Sequence, residues 1–289
     1  VWVGAGEGAL GEVLVSGPNS LWGATYDLTI GYYHGEGRLT VADGAHVSAA
    51  RGFIGSGPGG VGTVVVTGAD SLMETSHALY IGGDAEGPGG AGSLGIYSGG
   101  LVDGNDVTIW STGLLTGDGT LRGDVDNRGT IRPGSSIGTL TIDGDLAAIR
   151  DTSVIEFEID NEGNCDKLLV SGFVGFRRQA LVPVPIETLV GTHDYTVVEA
   201  DRIEERIQTL EWPYPAVEPG LIRSTIAYGE EPNSIVLRVT ALPFDDSNIA
   251  RTCNQRSLGT ALDQIAQAGG NDLTLALQQL DTSDAVRSA

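Results

Sequence analysis

Val13-Leu14-Val15-Ser16-Gly17-Pro18-Asn19-Ser20-Leu21-Trp22 returns 51 residues later as Val64-Val65-Val66-Thr67-Gly68-Ala69-Asp70-Ser71-Leu72-Met73. The same offset carries Leu28-Thr29-Ile30-Gly31 onto Leu79-Tyr80-Ile81-Gly82, and Trp2-Val3-Gly4 onto Phe53-Ile54-Gly55. Further along, Gly37-Arg38-Leu39-Thr40-Val41-Ala42-Asp43-Gly44 returns as Gly92-Ser93-Leu94-Gly95-Ile96-Tyr97-Ser98-Gly99, now at an offset of 55. A four-residue insertion therefore sits near Asp84–Gly90. Tandem repetition on this scale is the signature of a chain built from stacked units.

Each long repeat contains shorter ones: a few residues of alternating apolar character, then a glycine-bearing turn. Leu39/Val41, Val64/Val66, Leu79/Ile81, Leu94/Ile96 and Val107/Ile109 follow this rule. Period-two alternation buries one face of a strand. Short strands punctuated by glycine fit a sandwich, a barrel or a solenoid, and the tandem repeat selects the solenoid. A single coil cannot bury its apolar face, so coils stack on a shared core. Glycine supplies the positive-φ corners, and Gly57-Pro58-Gly59-Gly60 and Gly87-Pro88-Gly89-Gly90 read as excursions from them.

The pattern changes near Gly117. Longer, less glycine-rich strands follow to about Val239, with Pro183, Pro185, Pro213, Pro215 and Pro219 marking edge strands and loops. Beyond that, Leu258, Leu262 and Ile265 fall at helical spacing, and Leu273, Leu277 and Leu280 nearly so. Thr252 or Asn254 caps the first helix, and Gly269-Gly270 separates it from a second.

Composition narrows function. The 289-residue chain has 44 glycines without a collagen period, and 38 acidic against 16 basic residues, for a formal charge of −22. Binding to nucleic acid or anionic lipid needs a basic footprint and is not expected. Cys165 and Cys253 are too few for a disulfide scaffold or a zinc site; one long-loop disulfide and two free thiols both stay open. No apolar run nears the roughly 20 residues of a membrane helix. The chain opens in mid-pattern, so it reads as an excised fragment.

At the change of pattern, Asn127-Arg128-Gly129-Thr130-Ile131-Arg132-Pro133-Gly134-Ser135-Ser136-Ile137-Gly138-Thr139-Leu140-Thr141-Ile142 resembles the junction of autotransporter (type V secretion) passengers. Later landmarks match in order: the acidic strand Ile155–Ile159, Asp166-Lys167-Leu168-Leu169-Val170-Ser171-Gly172, Tyr195-Thr196-Val197-Val198-Glu199-Ala200, and Asn254-Gln255 before the helix. Each motif is weak alone; the order is specific, and it spans essentially the whole chain. No outer-membrane barrel strands follow Ala289.

The resemblance implies an all-β fold: a right-handed, pertactin-like parallel β-helix (solenoid) with a C-terminal β cap and a short helical linker. It divides the chain into glycine-rich coils (1–116), C-terminal coils with an autochaperone-like cap (117–245) and a helical linker toward an absent barrel (246–289). It implies a passenger displayed on the bacterial cell surface or outer membrane, or released from it. The expected role is a stalk and folding module of an adhesin or virulence factor. The expected partners are a host cell-surface or matrix component, further copies of itself and its own outer-membrane barrel, with no nucleic acid. Pro133, Gly134, Ser136, Gly138, Phe157, Asp166, Leu168, Val170, Gly172 and Tyr195 are its candidate folding core.

No catalytic, cofactor or metal site is expected. His34, His46, His77 and His193 show no zinc spacing, and no Gly-x-Ser-x-Gly elbow exists. Gly82-Gly83-Asp84 lacks the calcium-nonapeptide spacing. The Asp118–Asp145 cluster reads as solvated turns. Trp22, Tyr26, Tyr32, Tyr33, Tyr80, Tyr97 and Trp110 read as fillers ahead of a sugar-stacking strip. The alternatives are the stem of a passenger with a protease or esterase domain upstream, and a carbohydrate-active β-helix.

Overall fold

The computed structural model describes residues 1–148, 153–176, 180–204, 221–229, 233–246 and 249–279. In chain order the strands are β1 (Trp2–Ala5), β2 (Leu10–Ser16), β3 (Leu21–Tyr32), β4 (Glu36–Ala42), β5 (His46–Ser56), β6 (Val61–Thr67) and β7 (Leu72–Ile81). Then come β8 (Ala91–Tyr97), β9 (Leu101–Ile109), β10 (Gly113–Gly117), β11 (Thr120–Asn127), β12 (Thr130–Pro133), β13 (Thr139–Asp143) and β14 (Leu146–Ala148). The last strands are β15 (Val154–Ile159), β16 (Lys167–Phe176), β17 (Ala180–Pro185), β18 (Thr192–Glu204), β19 (Ile222–Gly229) and β20 (Asn233–Ala241). Helices α1 (Cys253–Gln267) and α2 (Asp272–Gln278) follow.

Up to β13 consecutive strands belong to different sheets, and β14 joins the sheet of β13 by pairing with β11 and β16. One sheet runs β1-β3-β5-β7-β9-β11-β13-β16-β18-β20-β19; the other runs β2-β4-β6-β8-β10-β12-β15-β17. Alternate strands pair in parallel, each with the strand one coil away. This is an all-β parallel solenoid of about eight turns, right-handed in character, as right-twisted strands favour.

The described residues form two compact units. The first takes Val1–Glu156, Lys167–Val182 and β18 from Val198 onward. Its core is a set of columns, because parallel in-register pairing stacks like on like. Leu39, Val64, Leu94, Leu115, Ile131 and Ile155 form one column in register, each at 0% exposure. Ile30, Ile54, Ile81 and Ile109 form another. Each such side chain contributes roughly 1.5–3 kcal/mol relative to exposure.

A glycine column makes the corners. Gly31 and Gly55 are the next-to-last residues of β3 and β5, at φ +71° and +68°. A Cβ on Gly55 would sit 2.0 Å from the Ala91 carbonyl oxygen, and one on Gly31 1.9 Å from that of Val61. Backbone meets backbone there, and no side chain fits.

The second unit takes Phe157–Asp166, Pro183–Val197 and the described residues beyond 220. β19 and β20 form an antiparallel pair, and Leu221, Phe244, Ile249, Ala266 and Leu277 make its helical core. Thr252 caps α1 through a capping box with Gln255, and Asn271 caps α2 with Thr274. The face that α1 buries differs from its leucine stripe. Leu258 (62%) and Ile265 (38%) are exposed, while Gly259 and Ala266 are buried. The cause is backbone approach: a Cβ on Gly259 would lie 2.6 Å from the Phe244 carbonyl oxygen. One turn on, Asp263 accepts the Phe244 and Asp245 N–H groups at 2.7 and 3.3 Å. Pro183 and Pro185 lie on edge strand β17, as expected; Pro213, Pro215, Pro219 and Leu280 lie outside the described residues.

Gly55→Ala is expected to remove roughly 3 kcal/mol or more in urea unfolding, combining left-handed strain with a backbone collision. Gly6→Ala, at φ +100° with nothing within 4 Å of its Cβ, loses only about 1–2 kcal/mol. Equal losses in the two variants would reject close approach as the dominant constraint.

Candidate functional site

The junction begins where the isoleucine column ends. Asn127 pairs in register with Ile109 and is fully buried. Its Oδ1 accepts the Gly129 N–H at 3.1 Å, an Asx turn that bends β11 into β12. Pro133 and Gly134 are buried. Gly134, at φ +84°, donates its N–H to the Gly117 carbonyl at 2.8 Å. Ser136 is exposed and Gly138 half-buried. The Gly138 carbonyl accepts the Lys167 N–H at 2.8 Å, which starts the register Leu140 to Leu168 and Ile142 to Val170.

At the end of that register the Gly172 N–H reaches the Gly144 carbonyl at 3.0 Å, and the Phe173 N–H reaches Asp145 Oδ1 at 2.8 Å. A Cβ on Gly172 would lie 2.0 Å from the same Oδ1. A carboxylate from the preceding coil occupies the space a side chain would take. Asp145 in turn donates its N–H to Asp124 Oδ1 at 3.0 Å, so the bend is tied across three coils. Beside it, Ser171 and then Arg122 hold the Asp143 carboxyl below its usual range.

Phe157, Asp166 and Tyr195 belong to the second unit, so the candidate folding core divides between the two. All three are fully buried. Asp166 exchanges two bonds with Glu158: Oδ2 accepts the Glu158 N–H and the Asp166 N–H reaches the Glu158 carbonyl, both at 2.8 Å. Between them Asp160 organises the loop, accepting the Glu162 and Asn164 N–H groups at 2.9 and 2.8 Å. Burial alone would raise the Asp160 carboxyl, but the Asn164 side chain and the loop amides pull it below its ordinary value. The Tyr195 hydroxyl donates to the Asp160 carbonyl at 2.6 Å. Burial first, then the Asp160, Cys165 and Glu187 charges, pushes that phenol above its usual range. In the same unit a cleft of about 420 Å³ opens between α1 and Leu242–Asp245. Burial raises the Asp263 carboxyl on its wall.

Among the described residues no three His, Cys, Asp or Glu side chains converge on one point. His46 faces Glu74 at 3.3 Å, His77 contacts Ser76, and His193 reaches the Val190 carbonyl. Asp84 closes its own turn by accepting the Glu86 and Gly87 N–H groups. Cys165 and Cys253 are not joined to each other, and the Cys165 thiol reaches the Thr196 carbonyl at 3.5 Å.

The aromatic set divides. Tyr80 stacks on Phe53 at 5.4 Å under Arg51, and Trp110 donates to the Asp84 carbonyl beneath Arg128. Tyr26 is exposed, whereas Tyr32 and Tyr33 join Trp2 and His34 in a continuous exposed group. Sequence reading missed Trp2 and His34. Their signal was positional: aromatic residues at a corner where the next coil carries Gly-Pro-Gly.

No protein-family profile matches the chain, and no curated protein matches it. The class that fold and site define is a parallel β-solenoid with a second compact unit.

Gly172→Ala is expected to destabilise by roughly 2–4 kcal/mol, because either Asp145 or the register must move. Tyr195→Phe keeps the ring and loses the bond to Asp160, for about 1–3 kcal/mol in chemical denaturation. Because the Asp160 carboxyl is depressed, its contribution is present above the ordinary carboxylate pKa and lost as pH falls through the depressed value. Asp160→Asn should flatten the acid limb of the melting-temperature profile; an unchanged limb would exclude Asp160 from it.

Proposed function

We propose that this chain is the stalk and folding module of a surface-displayed autotransporter passenger of adhesin type. The observation that supports this reading is the junction stretch Asn127–Ile142, which turns within the solenoid and sets the register of β13 on β16 through Gly138 and Lys167. A solenoid coil is stabilised chiefly by its neighbours, so growth needs a formed coil to grow on. β16, with Leu168 and Val170 buried, offers β13 such a surface. Residues 117–245 then act as the template, and residues 1–116 propagate from it. The role is structural: it holds a binding surface away from the cell, toward a host-surface or matrix component. The outer-membrane barrel that would export the chain belongs to the full-length protein in this reading.

The test is vectorial refolding from denaturant. With Trp212 replaced by phenylalanine, Trp2, Trp22 and Trp110 report on residues 1–116, and far-ultraviolet circular dichroism on the whole chain. In Leu168→Asp and Phe157→Asp the tryptophan signal of residues 1–116 should fail to recover or slow at least about tenfold. Recovery at the parental rate in both variants would end the template reading. Fusing the chain behind a secretion signal and before an outer-membrane barrel should yield folded, protease-accessible chain on intact cells; retention inside would end the display reading.

A further inference from the structure

The turn Tyr32-Tyr33-His34-Gly35 does what its neighbours avoid. The Gly35 N–H closes it on the Tyr32 carbonyl at 3.1 Å, and both central residues have positive φ, +44° for Tyr33 and +60° for His34. Turns of this kind favour Asn-Gly, because a β-carbon is disfavoured at both positions. The adjacent coils turn differently: Gly6-Glu7-Gly8-Ala9 and Gly57-Pro58-Gly59-Gly60 place only their second central residue, a glycine, at positive φ. This coil alone of the three places two large rings in the left-handed region. It is held there from both sides: the Gly6 and Gly8 N–H groups reach the Tyr32 and His34 carbonyls, and the Tyr33 and His34 N–H groups reach those of Ser56 and Pro58. The following coil makes room as well. A Cβ on Gly59 would lie 2.3 Å from His34 Nδ1, and one on Gly57 3.1 Å from the Tyr32 ring. Strain that surrounding structure maintains points to use.

The result is a run of four rings open to solvent. Trp2 stacks on Tyr32 at 5.9 Å and 17°, Tyr32 meets Tyr33 at 6.2 Å, and the Tyr33 ring meets the His34 imidazole edge-on at 5.2 Å. Trp2 is 69% exposed, Tyr33 51% and Tyr32 39%. Flat π faces carrying indole N–H, phenol and imidazole groups match a sugar ring, whose C–H face stacks while its hydroxyls bond at the rim. Exposed Glu7 and Glu36 flank the turn on a strongly acidic chain, which disfavours sulfated and uronic sugars.

We propose that Trp2, Tyr32, Tyr33 and His34 form a binding platform for neutral glycans. The probes are chitohexaose and cellohexaose, with a heparin hexasaccharide as the anionic control, titrated calorimetrically into the intact chain. Saturable millimolar or tighter binding of a neutral hexasaccharide is expected, weakened about tenfold by Trp2→Ala or Tyr33→Ala and unchanged by Tyr26→Ala. The double change Tyr33→Asn with His34→Gly separates strain from function. It should raise the melting temperature, by relaxing the turn, and abolish binding. No neutral-sugar binding, binding indifferent to these variants, preference for heparin, or self-association through the rings that sugar does not reverse would each overturn the proposal.

Discussion

Everything in the solenoid depends on how closely one coil's backbone approaches the next at the corner between the two sheets. Gly31 and Gly55 place their α-carbons where a single added methyl would overlap a neighbouring carbonyl. The left-handed φ at these positions bends the strand end just ahead of the turn that leads into the other sheet. Pairing in both sheets, and stacking of the columns between them, follow from that turn being equally tight in each coil. The contacts are backbone to backbone, so the surrounding side chains can vary while the glycine cannot. This is why the repeats differ between Thr29 and Tyr80 yet keep the glycine that follows.

With the corner set, the interior is chosen by volume. Leu28, Gly52, Leu79 and Val107 share one column. Gly52 looks like a void, but a Cβ there would lie 2.6 Å from Leu79 Cδ1, so the leucine of the next coil has taken the space. Column packing exchanges volume between neighbours more readily than it tolerates an overall gain. Where the isoleucine column meets Asn127, an Asx turn replaces packing, and the strands that follow at once, β12, β13 and β14, are shorter than β2 to β9 of the glycine-rich coils.

The solenoid was legible in the sequence because its signal is repeated: each coil restates the alternation and the glycine, and errors in one are corrected by the next. The second unit was legible only in parts. It draws on Phe157–Asp166, Pro183–Val197 and the C-terminal region, far apart in the chain, with no period to relate them. Helices α1 and α2 were readable from spacing, but the buried face of α1 was not. Hydrophobicity favours Leu258 and Ile265, whereas Gly259 wins by letting backbone approach and Asp263 by binding two amides. The ring group was hidden for a related reason. Trp2 and Tyr32 are 30 residues apart and meet only because β1 lies beside the end of β3.

The two units answer different physical problems. In the coils, register is repeated and therefore degenerate: a strand shifted by a whole coil would still find an apolar column. Nearest-neighbour stacking supplies stability without saying which coil belongs where. The polar groups around Asp160, Asp166 and Tyr195 do not repeat, and each has one partner geometry. A buried carboxylate such as Asp166 adds little net stability over an apolar side chain, but left without its amide partner it is strongly unfavourable. A misregistered strand there strands a charge, whereas a misregistered coil strands only surface. Uniqueness is therefore concentrated in the polar loop and extent in the apolar coils, and a chain with this division gains from forming the unique part first.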